Sequence, residues 1–548
     1  MNIKRTKLVR RFSGLLLALY GLRLVFSMLI EKNIIVKDIS NVLQLPDIFP
    51  SDLDLVKMFL GLILLAASRG LLRGQRNIYV LVIFVLLAVS VIHLINTRNI
   101  IDVLAPFFII GFYLLNNKYF QAHVSLNMII SRLTRLGLIA LVIPILIALI
   151  FATEVKFQNI TRIDFARFMI GESLPIQLQV LLLVLNSLLA LGLGWAITLP
   201  KANLVSQNVE PAQEIRNLVK TYGHDSLSYF SLRSDKSIFQ TPNGFVSYRV
   251  INGICLVSPE PIGQDLVQLW KEFSSMARNS GWPIVFIGSR NEFSQTLKAE
   301  GMLLINAGDE AIVDVQDYSL TGHDKKPLRL AVNRMKRNGY YTSIKKVIDL
   351  TDQELIQIQK IAPITRIGDF ERGFSMTLGR IADKEDDLLL VLIKDQDNQI
   401  CGFAQFVPAL QINGYSLDIT RRDGKDHPNG MIELAFYDFF QYLASNNYEK
   451  VSLNFSPLKN IFLGETKIPG LFGLDLFLLK LVSRKSQFTT LYKFNAKFLP
   501  SWHSRFIALD GIEYLWPAVV AVLTAEGITE IPILGWFIQQ RLNKVNNK

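Results

Sequence analysis

Residues 415–433 read YSLDITRRDGKDHPNGMIE. The first part alternates apolar and polar side chains, the signature of a half-buried strand. Strict alternation puts Leu417 and Ile419 on one face and Ser416, Asp418 and Thr420 on the other. Arg421 and Arg422 close the strand, a polar loop follows, and a helix begins near Met431. Asn429 and Gly430 stand at that helix start, where unpaired N–H groups and the helix dipole favour an anion. Glu433 falls in its first turn. A carboxylate (Asp418), a guanidinium (Arg421) and a helix N-terminus gathered at one strand end suit acyl transfer, where charge develops on a carbonyl oxygen. They equally suit a structural ion pair beside a capped helix, and the residues alone leave both readings open.

Outward from this stretch the same texture continues. Strand-like runs are expected at 244–251, 254–257, 283–287, 311–315, 388–393 and 400–406. Residues 264–279 and 431–445 carry apolar side chains at helical spacing. Strands mixed with helices on this scale predict an α/β domain. The rhythm of a strand pair, a helix and a further strand occurs twice, giving boundaries at 201–345 and 346–510, with a helical tail at 511–548. Two further motifs stand out. RLAVNRMKR (329–337) is a dense basic helix in which Arg329, Arg334, Lys336 and Arg337 suit phosphate contacts, as well as a solvated face or anionic lipid. KFLPSWHSRF (497–506) sets Lys497, Trp502 and Arg505 among aromatics, a composition found at lipid-headgroup rims and in ordinary cores.

Residues 1–200 differ in kind. Half of the 548-residue chain is hydrophobic and 19% is charged, against roughly 25% in a typical soluble domain. Six apolar segments are expected to span a membrane: 12–30, 53–72, 78–95, 100–115, 136–151 and 176–199. Each approaches the roughly 20 residues that cross a 30 Å hydrocarbon layer. Lys4, Arg5, Lys7, Arg10 and Arg11 place the N-terminus in the cytoplasm. Arg69, Arg73, Arg76, Lys118, Arg132 and Arg135 mark two cytoplasmic loops. Six spans then return the chain to the cytoplasm at Pro200. Arg23 and Asp102 lie close enough to span ends to reach the interface or pair.

The net charge of +12 suits positive-inside loops or a polyanionic partner. Cys255 and Cys401 belong to no metal-spaced cluster, so neither a disulfide framework nor a metal is expected. The sequence has no Walker loop, G-x-G-x-x-G, G-x-S-x-G, H-E-x-x-H or C-x-x-C. His224, His323, His427 and His503 are scattered and read as surface residues.

YGHDSLSYFSLRSDKSIF (222–239), SPEPIG (258–263), RGFSMTLGR (372–380), SLDITRRD followed by PNGMIE, LNFSPL (453–458) and KFLPSWHSRF occur in an order and spacing that resembles the phosphatidylglycerol lysyltransferase family, the synthase part of the multiple peptide resistance factor. The resemblance covers about 300 residues of the second half. It implies two N-acetyltransferase-like halves, an aminoacyl-tRNA donor, phosphatidylglycerol as acceptor at the membrane, and no cofactor. On the matching motif it assigns Asp418 to the amino group of the aminoacyl moiety and Arg421 to phosphate or ester carbonyl. Arg422, Asn429, Gly430, Glu433, Lys497 and Arg505 would line the substrates, and Arg329, Arg334, Lys336 and Arg337 the tRNA. Glu433 departs from the family's usual Asp. The family's full-length members have about fourteen spans, more than the six expected here, so flipping of the product is not implied. A different acceptor lipid or amino acid, or a flippase with a regulatory domain, competes with this reading. A homo-oligomer is compatible with it.

Overall fold

The computed structural model describes residues 3–31, 52–96, 100–122, 213–364, 373–383, 387–455 and 488–527, with a few isolated positions between 187 and 198. The chain divides into two compact units, 1–201 with the short segment 276–282, and the rest.

The described part of the first unit is helical: α1 (Ile3–Glu31), α2 (Asp52–Leu72), α3 (Arg76–Asn96) and α4 (Ile100–Leu115). These helices contain the first four expected spans. Spans 136–151 and most of 176–199 lie outside the described residues. Among the described helices, Arg76–Leu94 alone is long and apolar enough to cross a membrane, with mean hydropathy 2.5. α1 and α2 pack backbone to backbone at Gly21 and Gly61, where a Cβ on either would sit 2.8 Å from the other's carbonyl oxygen. Tyr113 and Tyr79 tie the helices further: Tyr113 Oη donates to Ser13 O at 3.0 Å and Tyr79 Oη to Tyr113 O at 3.2 Å. Large apolar side chains point outward, among them Phe12, Phe84 and Phe108.

The second unit is built on one mixed sheet. A first series comprises α5 (Gln213–Tyr222), β1 (Ser237–Thr241), β2 (Gly244–Ile251), β3 (Ile254–Val257), β4 (Ile262–Gly263), α6 (Leu266–Asn279), β5 (Ile284–Ser289), α7 (Asn291–Ala299) and β6 (Leu303–Asp314). The basic helix α8 (Lys326–Arg337) follows. A second series comprises β7 (Tyr341–Lys346), α9 (Asp352–Ile361), β8 (Leu389–Lys394), β9 (Ile400–Ala409), β10 (Gly414–Arg422), α10 (Met431–Ser445), β11 (Lys450–Phe455), α11 (Phe488–Ala496), β12 (Ser501–Leu509) and α12 (Leu515–Ala525). In each series antiparallel strands lead to a parallel pair bridged by a helix, β3 with β5 and β10 with β11.

The strand order is β1-β2-β3-β5-β12-β6-β11-β10-β9-β8-β7, with β4 on β2. The last strand of each series is therefore exchanged. β6 lies beside β11 and β12 beside β5, and the two pair with each other along their length. β7 pairs with β8, so the second series starts a few residues before the boundary read at 345/346.

The sheet is covered on both faces, which explains the unbroken apolar runs of its strands. On β8, Leu390 and Leu392 enter one core with Ile358 of α9 and Ala521 of α12. Leu389, Val391 and Ile393 enter the other with Val332 of α8 and Phe436, Phe439 and Phe440 of α10. Burying each such side chain contributes about 1.5–3 kcal/mol. The amphipathic spacing of α10 thus sets its orientation, and with it the loop that precedes it.

Candidate functional site

The parallel pair β10–β11 is hydrogen-bonded only from Gly414–Lys450 to Ser416–Ser452. Beyond that the strands part. Asn454 takes a left-handed φ of 64°, a conformation Asn tolerates better than most residues. Its side-chain amide donates to Leu417 O on β10, and to Met376 O at 3.3 Å.

At the parting sits Asp418. The β9–β10 register shifts between Leu417 and Ile419, so Asp418 is the extra residue of a bulge. A bulge re-aims one side chain and flips the alternation beyond it. The strict alternation expected from sequence is broken here. Asp418 is buried. Its Oδ1 accepts the Leu378 N–H at 3.0 Å and its Oδ2 accepts Gln405 Nε2–H at 2.6 Å. Gln405 in turn donates to Arg380 O at 2.9 Å and accepts from Ala382 N at 2.8 Å. The carboxylate is thus fixed by the segment 373–382, which also reaches the first series: Arg233 Nη1 donates to Thr377 Oγ1 at 2.6 Å and Gly373 O at 3.1 Å. Gln405, Leu378 and Arg233 were not among the residues singled out from sequence. RGFSMTLGR and SLRSDK, both part of the matched order of motifs, carried the signal for Leu378 and Arg233, while no motif marked Gln405.

Arg421 stands three residues on, about 10 Å along the strand at 3.3 Å per residue. Its Nε donates to Ala362 O at 3.2 Å and its Nη1 to Thr420 O at 2.8 Å. Arg422 is exposed at the strand end. Gly430 caps α10 at φ 128°, and a Cβ there would meet Ala331 O of α8 at 2.9 Å. The start of α10 is therefore packed against the basic helix at Gly430. Glu433 pairs with Lys497 at 2.8 Å, tying the first turn of α10 to the approach to β12.

Arg505 is far from a headgroup rim. It lies fully buried in the middle of the sheet and bonds Asp225 at 2.6 Å, Glu310 at 2.5 Å, Ser226 Oγ at 2.8 Å and Gly288 O at 3.0 Å. Ser452 and Ser226 both donate to Glu310 Oε1 at 2.5 Å, and Ser416 Oγ donates to Ser226 O at 2.7 Å. A guanidinium can leave water only where several acceptors replace it, and the exchanged strands β6 and β12 supply them. Burial opposes ionisation of Asp225, but Arg505, together with Arg290 and His224 nearby, holds the carboxyl below its usual range. Trp502 instead lies beside Tyr492, ring centres 4.6 Å apart and planes tilted by 33°.

The basic helix divides by role. Arg329 Nη1 donates to Leu320 O at 2.6 Å and Gly322 O at 3.0 Å, which turns it inward onto its own approach loop. Lys336 pairs with Asp438 at 3.1 Å. Arg334 and Arg337 are exposed, while Leu328, Val332 and Met335 face the core. Of the histidines, His224 contacts Glu260 at 3.1 Å and His427 lies between Asp423 and Tyr340, each at 2.8 Å. His323 and His503 are exposed. Lys236 is buried with Nζ donating to Ser258 O at 2.7 Å and Phe230 O at 3.0 Å. Burial lowers its pKa to about 7, with Asp235 opposing.

Fold and site define a mixed α/β domain whose buried carboxylate sits where two parallel strands part. The chain belongs to the family described as phosphatidylglycerol lysyltransferase, C-terminal, whose pattern matches residues 216–509. It is 33% identical over 343 residues to the lysylphosphatidylglycerol biosynthesis bifunctional protein LysX of Rhodococcus jostii, covering 61% of this chain and 30% of that protein. LysX of Mycobacterium tuberculosis is 34% identical over 338 residues, with 59% and 28% covered. The chain therefore spans about 30% of the length of these curated relatives. L-PGS from Bacillus licheniformis shares the fold, with TM-score 0.51, 21% identity, and 58% of this chain and 97% of that one covered.

Proposed function

We propose that this chain transfers an aminoacyl group, lysyl in the first instance, from aminoacyl-tRNA to the headgroup hydroxyl of phosphatidylglycerol. The observation that carries the reading is the cradle of Asp418, a buried carboxylate locked by Leu378 N–H and Gln405 at a strand bulge. The printed names of the relatives, which refer to lysylphosphatidylglycerol, supply the substrate class.

The lipid hydroxyl oxygen attacks the carbonyl carbon of the aminoacyl ester. The bond from that carbon to the terminal ribose oxygen of the tRNA breaks. The hydroxyl proton passes to the departing ribose oxygen, so the sum is a transesterification. The ester is already activated, and the main contributions are proximity, a proton path and oxyanion stabilisation. Asp418 holds the ammonium of the aminoacyl moiety, and Arg421 faces phosphate or the ester carbonyl. Arg334 and Arg337 meet tRNA phosphates on the exposed side of α8. The two strand series are read as N-acetyltransferase-like halves. The helices of residues 1–200 anchor the chain in a membrane as a multi-pass domain, with the second unit cytoplasmic. Adding a cationic amino acid makes the headgroup less negative, which weakens attraction of cationic antimicrobial peptides.

Mass spectrometry of lipids from cells expressing the chain, with and without Asp418→Ala, tests this. A new aminoacyl-phosphatidylglycerol that disappears in the variant is expected. Equal product from the variant would remove Asp418 from the site, and a different headgroup mass would replace the acceptor.

A further inference from the structure

The structure assigns a zinc-type metal site to Cys401, Asp423 and His427, with Asp395 beside the thiol. It lies at the end of the sheet where the β8–β9 hairpin meets the loop that leaves β10. The sequence gives no hint of it, because the three donors are spread over 27 residues without ligand spacing. The ladder brings them together: Asp423 N donates to Cys401 O at 2.9 Å.

Ligand atoms of Cys401, Asp423 and His427 all lie within 4.8 Å of one another. Cys401 Sγ is 3.5 Å from Asp395 Oδ2, and His427 Nε2 is 2.8 Å from Asp423 Oδ1. Zinc bonds of about 2.3 Å to sulfur and 2.0–2.2 Å to nitrogen or oxygen give tetrahedral edges of roughly 3.4–3.5 Å. The nitrogen–oxygen edge has to open by roughly 0.6 Å, a small torsional adjustment on a loop.

The surroundings orient the donors. Tyr340 Oη contacts His427 Nδ1 at 2.8 Å, which leaves Nε2 for the ion, the arrangement common in metal-binding histidines. Asp395 Oδ1 accepts the Asp397 and Gln399 N–H groups at 3.0 and 2.9 Å, so Oδ2 faces Cys401. A carboxylate, an imidazole and a buried thiol meet here, with the Asp395 carboxylate beside the thiol. Lys425 Nζ is 3.9 Å from Asp423, and that lysine side chain is 79% exposed. A dication fits this balance better than one solvated ammonium. A metal-free Tyr–His–Asp chain accounts for three of the side chains. It does not account for the Cys401 thiol, which lies within 4.8 Å of both Asp423 and His427. One sulfur, one nitrogen and one carboxylate donor suit zinc over magnesium or calcium. Three protein ligands leave a fourth position for water or a further ligand. The effect of the site is to clasp the 423–430 loop between Arg422 and the start of α10.

The test uses the full chain in detergent with metal ions alone, so it is independent of lipid product. After dialysis against a weak chelator, about one zinc per chain is expected by elemental analysis. Cobalt titration of the zinc-free chain is expected to give a thiolate-to-cobalt charge-transfer band. Cys401→Ser removes the band, and Tyr340→Phe keeps it while weakening binding about 10-fold. No retained zinc and no band in the unmodified chain would overturn the assignment. So would Cys401→Ser or His427→Gln binding zinc as well as the unmodified chain.

Discussion

At the scale of single residues, buried charge decides what each side chain can do. Arg505 looks from its motif like a residue for an interface, yet its environment is two carboxylates, a serine and a carbonyl inside the sheet. Removing it leaves Asp225 and Glu310 buried without their counter-ion. Arg505→Ala is therefore expected to cost about 3–5 kcal/mol, read as a lowered midpoint in thermal or denaturant unfolding. Lys236 poses the opposite case. Burial depresses its folded pKa to about 7, against about 10.4 in the unfolded chain. Between these values the unfolded chain binds one more proton than the folded one, so stability rises as pH increases from about 7 to about 10. Lys236→Met is expected to flatten that rise. Unfolding midpoints of both proteins at pH 7, 8 and 9 check it, and identical pH slopes would refute it.

At the scale of elements, exchange and close approach govern the site. α10 must start against α8, and only a residue without Cβ fits Gly430 at φ 128° with Ala331 O nearby. Gly430→Ala is expected to destabilise by about 1–3 kcal/mol and to shift the loop before it, measurable as a lower midpoint and faster proteolysis within 423–430. The exposed half of α8 is the proposed phosphate surface. Replacing Arg334 and Arg337 together with Gln should weaken aminoacyl-tRNA binding and reduce its salt slope by about 1–2. An unchanged slope would return both residues to the role of a solvated face. The elements legible in sequence were those with a clear period, such as β2, β3, β8, β9 and α10. β6 was legible only at its end, because Asn306, Gly308 and Asp309 interrupt its pattern. β12 was not read as a strand at all. It carries His503, Ser504 and Arg505 in succession, and forms because β5 and β6 flank it.

At the scale of the whole molecule, the two units carry different surfaces. The helices of residues 3–115 turn Phe84 and Phe108 outward, where a water-soluble domain would place polar groups. The second unit buries its apolar residues on both faces of one sheet. On the proposed topology of six spans and a cytoplasmic N-terminus, an alkaline phosphatase fused after Pro200 is expected to be inactive, while a green fluorescent protein there fluoresces. The reverse pattern would invert the topology.

Composition and period were enough for the sequence alone to determine an apolar helical half and an α/β half, since both follow from which side chains recur at which spacing. The order of motifs was enough to determine the family and to point to Asp418. Tertiary structure alone decided the exchange of β6 and β12, the bulge that aims Asp418, the burial of Arg505 and the meeting of Cys401 with His427. Each depends on which distant backbone lies alongside, and pairing across a sheet leaves no periodic trace in the local chain.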